Sequence, residues 1–227
     1  MTADFRACMD ACDVVVGYSG YVNALRSGFP EKQFYDTPMK KETERCIEAL
    51  KLASEGKTVC VVCSGDSGVY GMAGLVYELS PGFPDVEITV VPGITAACSG
   101  GAVLGAPIGH DFAVISLSDL LTEWTLIEKR LRAAAMGDFC VCLYNPSSHK
   151  RVDNLKRACD ILLEKKPPGT ICGTVRNIGR DGEEAWIMTL RELRDTPVDM
   201  FTTVFIGNSN TKVVGGKMVT PRGYRDV

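Results

Sequence analysis

The sequence predicts an α/β protein of two domains. Three observations carry this: short β-branched runs recur along the chain, glycine or proline turns follow them, and helical patterns separate most of them. That alternation marks βα units around largely parallel strands. With 227 residues, 45% apolar and 23% charged, the chain can bury one large core or two modest ones. The boundary is expected within Leu104–Asp111, where an alanine-rich helix gives way to glycine, proline and a new strand. The halves are then residues 1–107 and 112–227.

In the first half, strands are expected at Asp13–Val16, Thr58–Cys63 and Val86–Val91, each apolar or β-branched. A helix is predicted from Pro38 to Ser54, with Thr37 as N-cap, Pro38 at its first position and a stripe of Cys46, Ile47, Leu50 and Ala53. In the second half, strands are expected at Phe112–Ser116, Phe139–Tyr144, Thr170–Val175, Ala185–Met188 and Thr202–Ile206. A helix from Leu120 to Met136 carries Trp124, Ile127 and Leu131 on one face and stops at Gly137. Arg180-Asp-Gly-Glu183 reads as a hairpin turn. The first sheet should therefore be mostly parallel and the second mixed.

Composition narrows the function. Lysine plus arginine number 25 against 28 acids, a net charge of -3, so nothing pulls the chain toward nucleic acid or an anionic membrane. Ten cysteines behind a start of Met-Thr-Ala-Asp-Phe-Arg point to a reducing, cytoplasmic setting. The uncharged stretch Ile88–Gly109 is long enough to span a bilayer, but its two prolines and five glycines make it strand, loop, buried helix and linker. No metal set is expected: Cys60 and Cys63 would face opposite sides of a strand, and Cys140 and Cys142 share a face but lack partners.

Two loops stand out. Ser64-Gly-Asp-Ser-Gly-Val-Tyr-Gly71 follows a strand and precedes a helix, where an open α/β sheet places its ligand. Asp66 there would oppose a pyrophosphate at a cost of order 1 kcal/mol, whereas a zwitterionic, sulfonium-bearing ligand fits. Spacing alone leaves a plain glycine turn equally open. Val91-Pro-Gly-Ile-Thr-Ala96 likewise ends a strand and opens a helix, offering the Thr95 hydroxyl and helix-terminal amides beside the first loop, or merely an N-cap.

Both loops, with Gly109-His-Asp-Phe112, Ser116-Leu-Ser-Asp-Leu-Leu-Thr122, Leu143-Tyr-Asn-Pro146, Thr174-Val-Arg-Asn177 and Thr220-Pro-Arg-Gly-Tyr224, resemble the tetrapyrrole methylases of cobalamin synthesis. The Ser116–Thr122 run and the Thr220–Tyr224 ending point to the branch that methylates carbon 17 of a corrin precursor with contraction of the ring. The resemblance implies a homodimer of two-domain α/β subunits, with S-adenosylmethionine in the cleft between the domains, S-adenosylhomocysteine as product, and precorrin-3B or cobalt-factor III as the macrocycle. By position it assigns Ser64, Gly65, Asp66 and Val69 to the first cofactor loop, Thr95 and Ala96 to the second, and Asn145 and Ile178 to cofactor contacts from the C-terminal domain. Thr203, with Thr202, is assigned to the adenine end. Family members open with a strand and a Gly-x-Gly-Pro-Gly loop; neither is found here, so Asp13–Tyr18 should be the family's second strand.

Methyl transfer to carbon needs alignment more than a strong nucleophile, while ring contraction would benefit from a positioned acid or base. Ser118 and Asp119, directly after a strand, and His110 at the domain boundary are the candidates, against a helix-capping reading of the first two and a plain hydrogen-bonding role for His110. Arg176, Arg180, Arg222 or Lys40-Lys41 could meet the substrate's carboxylates, and Tyr18 and Tyr21 could stack on the macrocycle. The alternatives are a sister methylase acting at another ring position and a non-catalytic tetrapyrrole-binding protein.

Overall fold

The computed structural model describes residues 1–148 and 151–225 and divides into two units, Met1–Thr95 and Ala96–Val227. The first opens with helix α1 (Ala3–Ala11), whose N-cap Thr2 accepts the Phe5 amide through its hydroxyl at 3.2 Å. It continues through strand β1 (Val14–Tyr18), α2 (Ser19–Arg26), β2 (Gln33–Thr37), α3 (Glu42–Ser54), β3 (Val59–Val62) and α4 (Ala73–Leu79). The sheet runs β2-β1-β3 and is wholly parallel, with Val14 opposite both Gln33 and Val59. The two faces of β1 alternate as the pleat requires: Val15 joins Met9, Cys12, Val22 and Phe29 on one side, Val14 and Val16 join Ala49 on the other.

Two expectations fail in this unit. The helix predicted from Pro38 begins only at Glu42, and Thr37 ends β2 instead of capping it. Buried Arg45 is the reason. Its guanidinium takes the Thr37 hydroxyl at 3.0 Å and the Thr37 and Pro38 carbonyls at 3.3 and 3.1 Å, which holds that backbone away from a helical path, and Lys40 breaks the chain with φ of 67°. The second failure is Val86–Val91, which enters no ladder among the described residues. β-branched composition only favours a strand; a neighbouring strand must supply the hydrogen bonds, and β3 pairs with β1 alone.

The second unit begins with α5 (Ala96–Leu104) and a short β4 (Gly105–Ala106), then β5 (Phe112–Ser116), α6 (Trp124–Met136), β6 (Cys140–Tyr144), α7 (Asn154–Leu163), β7 (Ile171–Arg176), β8 (Glu184–Thr189), α8 (Leu190–Arg194), β9 (Thr202–Ile206), β10 (Lys212–Val214) and β11 (Lys217–Val219). Its main sheet has the order β5-β6-β9-β7-β8, parallel at β5-β6 and antiparallel elsewhere, with the hairpin expected at Arg180–Glu183 joining β7 to β8. A second sheet, β10-β11-β4, was not foreseen. Ile127, Leu131, Leu155, Leu162, Leu190 and Leu193 cover one face of the main sheet, while Ala97 and Leu104 of α5 cover the other with Phe205 and Val175. That packing is why the unit boundary falls at Thr95–Ala96 and not within Leu104–Asp111: α5 belongs to the second core. Gly100 makes it possible, since a Cβ there would lie 2.8 Å from Ile178 Cδ1 and 3.0 Å from Phe205 Cζ.

Candidate active site

In the first unit the two glycine loops meet. Asp66 accepts the Gly68 amide through Oδ1 at 2.8 Å and the Gly93 amide through Oδ2 at 2.8 Å. Ser67 Oγ donates to the Val91 carbonyl at 3.3 Å. These amide contacts, Gly93 first, hold the Asp66 carboxyl below its ordinary range. The approach is close enough to exclude any side chain at Gly93, whose Cβ would sit 2.0 Å from the Gly65 carbonyl oxygen, and Gly65 itself takes a left-handed φ of 71°. The clasp thus brings Gly65 and Asp66 against the segment that leads to Thr95, with Ser64, Gly65 and Gly68 exposed and Val69 half-buried.

In the second unit the site residues gather at one edge of the main sheet. β5 and β6 are parallel and end together, with Ser116 opposite Tyr144. Ligands of such sheets bind outside the carboxyl ends of the strands. Asn145 follows in a left-handed turn, φ 52°, and donates Nδ2 to Ser116 Oγ at 3.0 Å. Ser116 Oγ also accepts the Ser118 amide at 3.2 Å, and Leu117 is fixed from both sides: its amide goes to the Tyr144 carbonyl at 2.8 Å, its carbonyl to buried Asn154 at 2.8 Å. Arg151 donates Nη1 to Ser118 Oγ and Nε to Ser148 Oγ at 3.0 Å, and stands 3.8 Å from Asp119. The antiparallel strands arrive at this same edge: Thr203 at the start of β9 is buried and opposite Val175, and Ile178 follows the end of β7. Tyr144 accepts the Ala97 amide through its phenol oxygen at 2.6 Å, pinning the first turn of α5 that Ala96 opens.

Of the second-unit residues singled out in the sequence, Ala96, Ser118, Asp119, Asn145, Ile178 and Thr203 therefore share one edge. His110 does not. It precedes β5, so the strand's length of about 15 Å separates it from Ser118, and it lines a cavity of about 310 Å³ with Lys212 and Arg222. The arginines and lysines proposed for carboxylates scatter: Arg176 is bound to Asp199 at 2.8 Å and Glu184 at 3.6 Å, Lys41 to Glu44 at 2.6 Å, Arg180 sits in the hairpin turn and Arg222 lies beside His110. Tyr18 and Tyr21 pack edge-on against each other at 5.2 Å. Burial pushes the thiols of Cys60 and Cys159 up to about 12 and that of Cys46 up to about 11, which leaves them unreactive.

Sequence reasoning missed Arg151, Asn154 and the roles of Ser116 and Tyr144. No spacing rule singles out Arg151; only the fold carries it back to Ser118.

Fold and loops together define an α/β methylase, and the chain belongs to the tetrapyrrole (corrin/porphyrin) methylases, whose family model matches residues 1–194. It is 46% identical over 225 residues to a probable cobalt-factor III C(17)-methyltransferase of Salmonella typhimurium, covering 99% of this chain and 93% of that protein. The crystal structure of the methyltransferase CobJ superposes with a TM-score of 0.89 at 37% identity, covering 97% of this chain and 93% of the other. A Thermus thermophilus uroporphyrin-III C-methyl transferase, complexed with S-adenyl homocysteine, shares the fold at a TM-score of 0.68 and 19% identity, over 91% of this chain and 90% of that one.

Proposed function

We propose that the chain methylates carbon 17 of a corrin precursor, cobalt-factor III or precorrin-3B, in cobalamin biosynthesis, with S-adenosylmethionine as methyl donor and contraction of the macrocycle. The observation that carries the methyl-transfer reading is the Asp66–Gly93 clasp, which builds a loop surface of exposed backbone around a carboxylate. Such a surface suits a zwitterionic sulfonium and repels a pyrophosphate. The ring position rests on the Salmonella relative.

The residues fit the cofactor. In this reading Ser64, Gly65, Asp66, Val69 and Thr95 of the first unit hold it, with Ala96, Asn145, Ile178 and Thr203 of the second; the resemblance supports that assignment. When bound, S-adenosylmethionine supplies a methyl group on a sulfonium. The protein's part is alignment: the Asp66 clasp and the left-handed Asn145 turn fix backbone groups in advance, so little reorganisation is needed as the displacement proceeds. Ser118 and Asp119 are the proton-handling pair for ring contraction, held by Ser116 and Arg151 at the strand ends. A cytoplasmic homodimer belongs to the same reading, supported by the resemblance and the cysteine-rich composition.

Incubation with cobalt-factor III and S-adenosylmethionine tests the activity, with the product followed by mass spectrometry and its methyl located by NMR. A methyl on carbon 17 is the expected result. A methyl elsewhere makes the chain a sister methylase, and tetrapyrrole binding without S-adenosylhomocysteine binding makes it a carrier.

A further inference from the structure

We infer that Arg151 anchors a carboxylate of the tetrapyrrole substrate. Three arginines of the second unit are neutralised by close carboxylates: Arg132 lies on Glu128 and Glu164, Arg176 on Asp199 and Glu184, Arg194 on Asp160 and Asp195, with closest distances of 2.5 to 3.0 Å. Arg151 is held differently. Two hydroxyls, Ser118 Oγ and Ser148 Oγ, fix its Nη1 and Nε, and the nearest carboxylate, Asp119, stays 3.8 Å away. Hydroxyls orient a guanidinium without cancelling its charge.

Three further facts suit it to a ligand. Its side chain is 18% exposed, buried enough for a strong field and open enough to be reached. Nη2 has no hydrogen bond among the described residues, so one side of the guanidinium fork is open for a carboxylate. Finally, it stands at the carboxyl ends of β5 and β6 beside Ser118 and Asp119, whereas Arg222 sits at the opposite end of β5. Orientation set before binding lowers the cost of ordering the long side chain.

The inference rests on the tetrapyrrole reading, whose substrates carry many carboxylates, and it deepens that reading by naming the residue that meets one of them. The test is fluorescence titration of the full chain with uroporphyrin III, an eight-carboxylate tetrapyrrole, beside calorimetric titration with S-adenosylhomocysteine. Arg151→Gln should weaken porphyrin binding roughly tenfold to a hundredfold, the size of one lost charge-assisted hydrogen bond. Arg151→Lys should recover part of it, with S-adenosylhomocysteine affinity and Tm unchanged in both variants. Unchanged porphyrin affinity in Arg151→Gln overturns the anchor, as does a wild-type chain that does not bind the porphyrin. Equal losses of S-adenosylhomocysteine affinity and Tm make Arg151 only a loop clamp. A wild-type chain that binds the porphyrin through Arg151 but not S-adenosylhomocysteine keeps the anchor and sinks the methyltransferase reading.

Discussion

The glycine loops of the first unit and the β5-β6 edge of the second reach order by opposite means. In the loops, backbone meets backbone: Gly93 stacks on the Gly65 carbonyl and one carboxylate gathers the amides of both segments. At the sheet edge, side chains do the work, in a chain from Asn145 through Ser116 and Ser118 to Arg151. The backbone site depends on a glycine, Gly93, that no side chain can replace without a clash. The side-chain site sets which chemical groups face a ligand, so it is where substrate choice should reside.

The sharpest way to break this contrast is Gly93→Ala. The added methyl meets the Gly65 carbonyl at 2.0 Å, and overpacking of about 3 kcal/mol should reduce S-adenosylhomocysteine affinity by roughly a hundredfold in calorimetry. Affinity within threefold of wild type would mean that the loops part easily and that the clasp is not the cofactor surface.

Asp66→Asn should have a smaller effect, roughly tenfold, because a neutral amide still accepts one hydrogen bond but loses the charge. The same carboxylate fixes a pH dependence. Its folded value lies below the ordinary value of about 3.9, so the clasp is complete above about pH 4 and is lost as pH falls through the lowered value. S-adenosylhomocysteine affinity should be flat on this account from pH 5 to 8 and drop in acid, and Asp66→Asn should remove the acid limb. An acid limb that survives in the variant would assign the titration to another group.

The smallest effect is expected from His110→Ala. Since His110 precedes β5 and Ser118 follows it, kcat and the KM for the corrin substrate should stay within about twofold of wild type. A drop of a hundredfold in kcat would show that proximity along the sheet misjudges the site and would return His110 to the chemistry.

The two first-unit loops were legible because their signals are local. Only glycine fits at Gly93, the left-handed turn at Gly65 favours it, and Asp66 between glycines marked the loop by its charge, although the sequence turned that carboxylate toward a ligand and not toward the backbone amides it accepts. The helix start was misread because Thr37-Pro38 carries a correct local signal that a distant guanidinium overrides. Val86–Val91 was misread because a strand is a property of pairs, and composition describes only one member. His110 and Ser118 looked equivalent because both sit in loops next to the same strand; the strand's direction places them at opposite ends.

By itself the sequence determined the α/β class, a parallel first sheet and a mixed second one, the two glycine loops and the family, since each is written in turns, periodicity or contiguous motifs. The tertiary structure alone decided that α5 belongs to the second core, that Arg45 holds Thr37 and Pro38 out of the helix, and that Arg151 reaches Ser118 from 33 residues away. The physical reason is range: steric and backbone preferences act within a few residues, whereas burial and charge compensation depend on which distant surfaces the fold brings together.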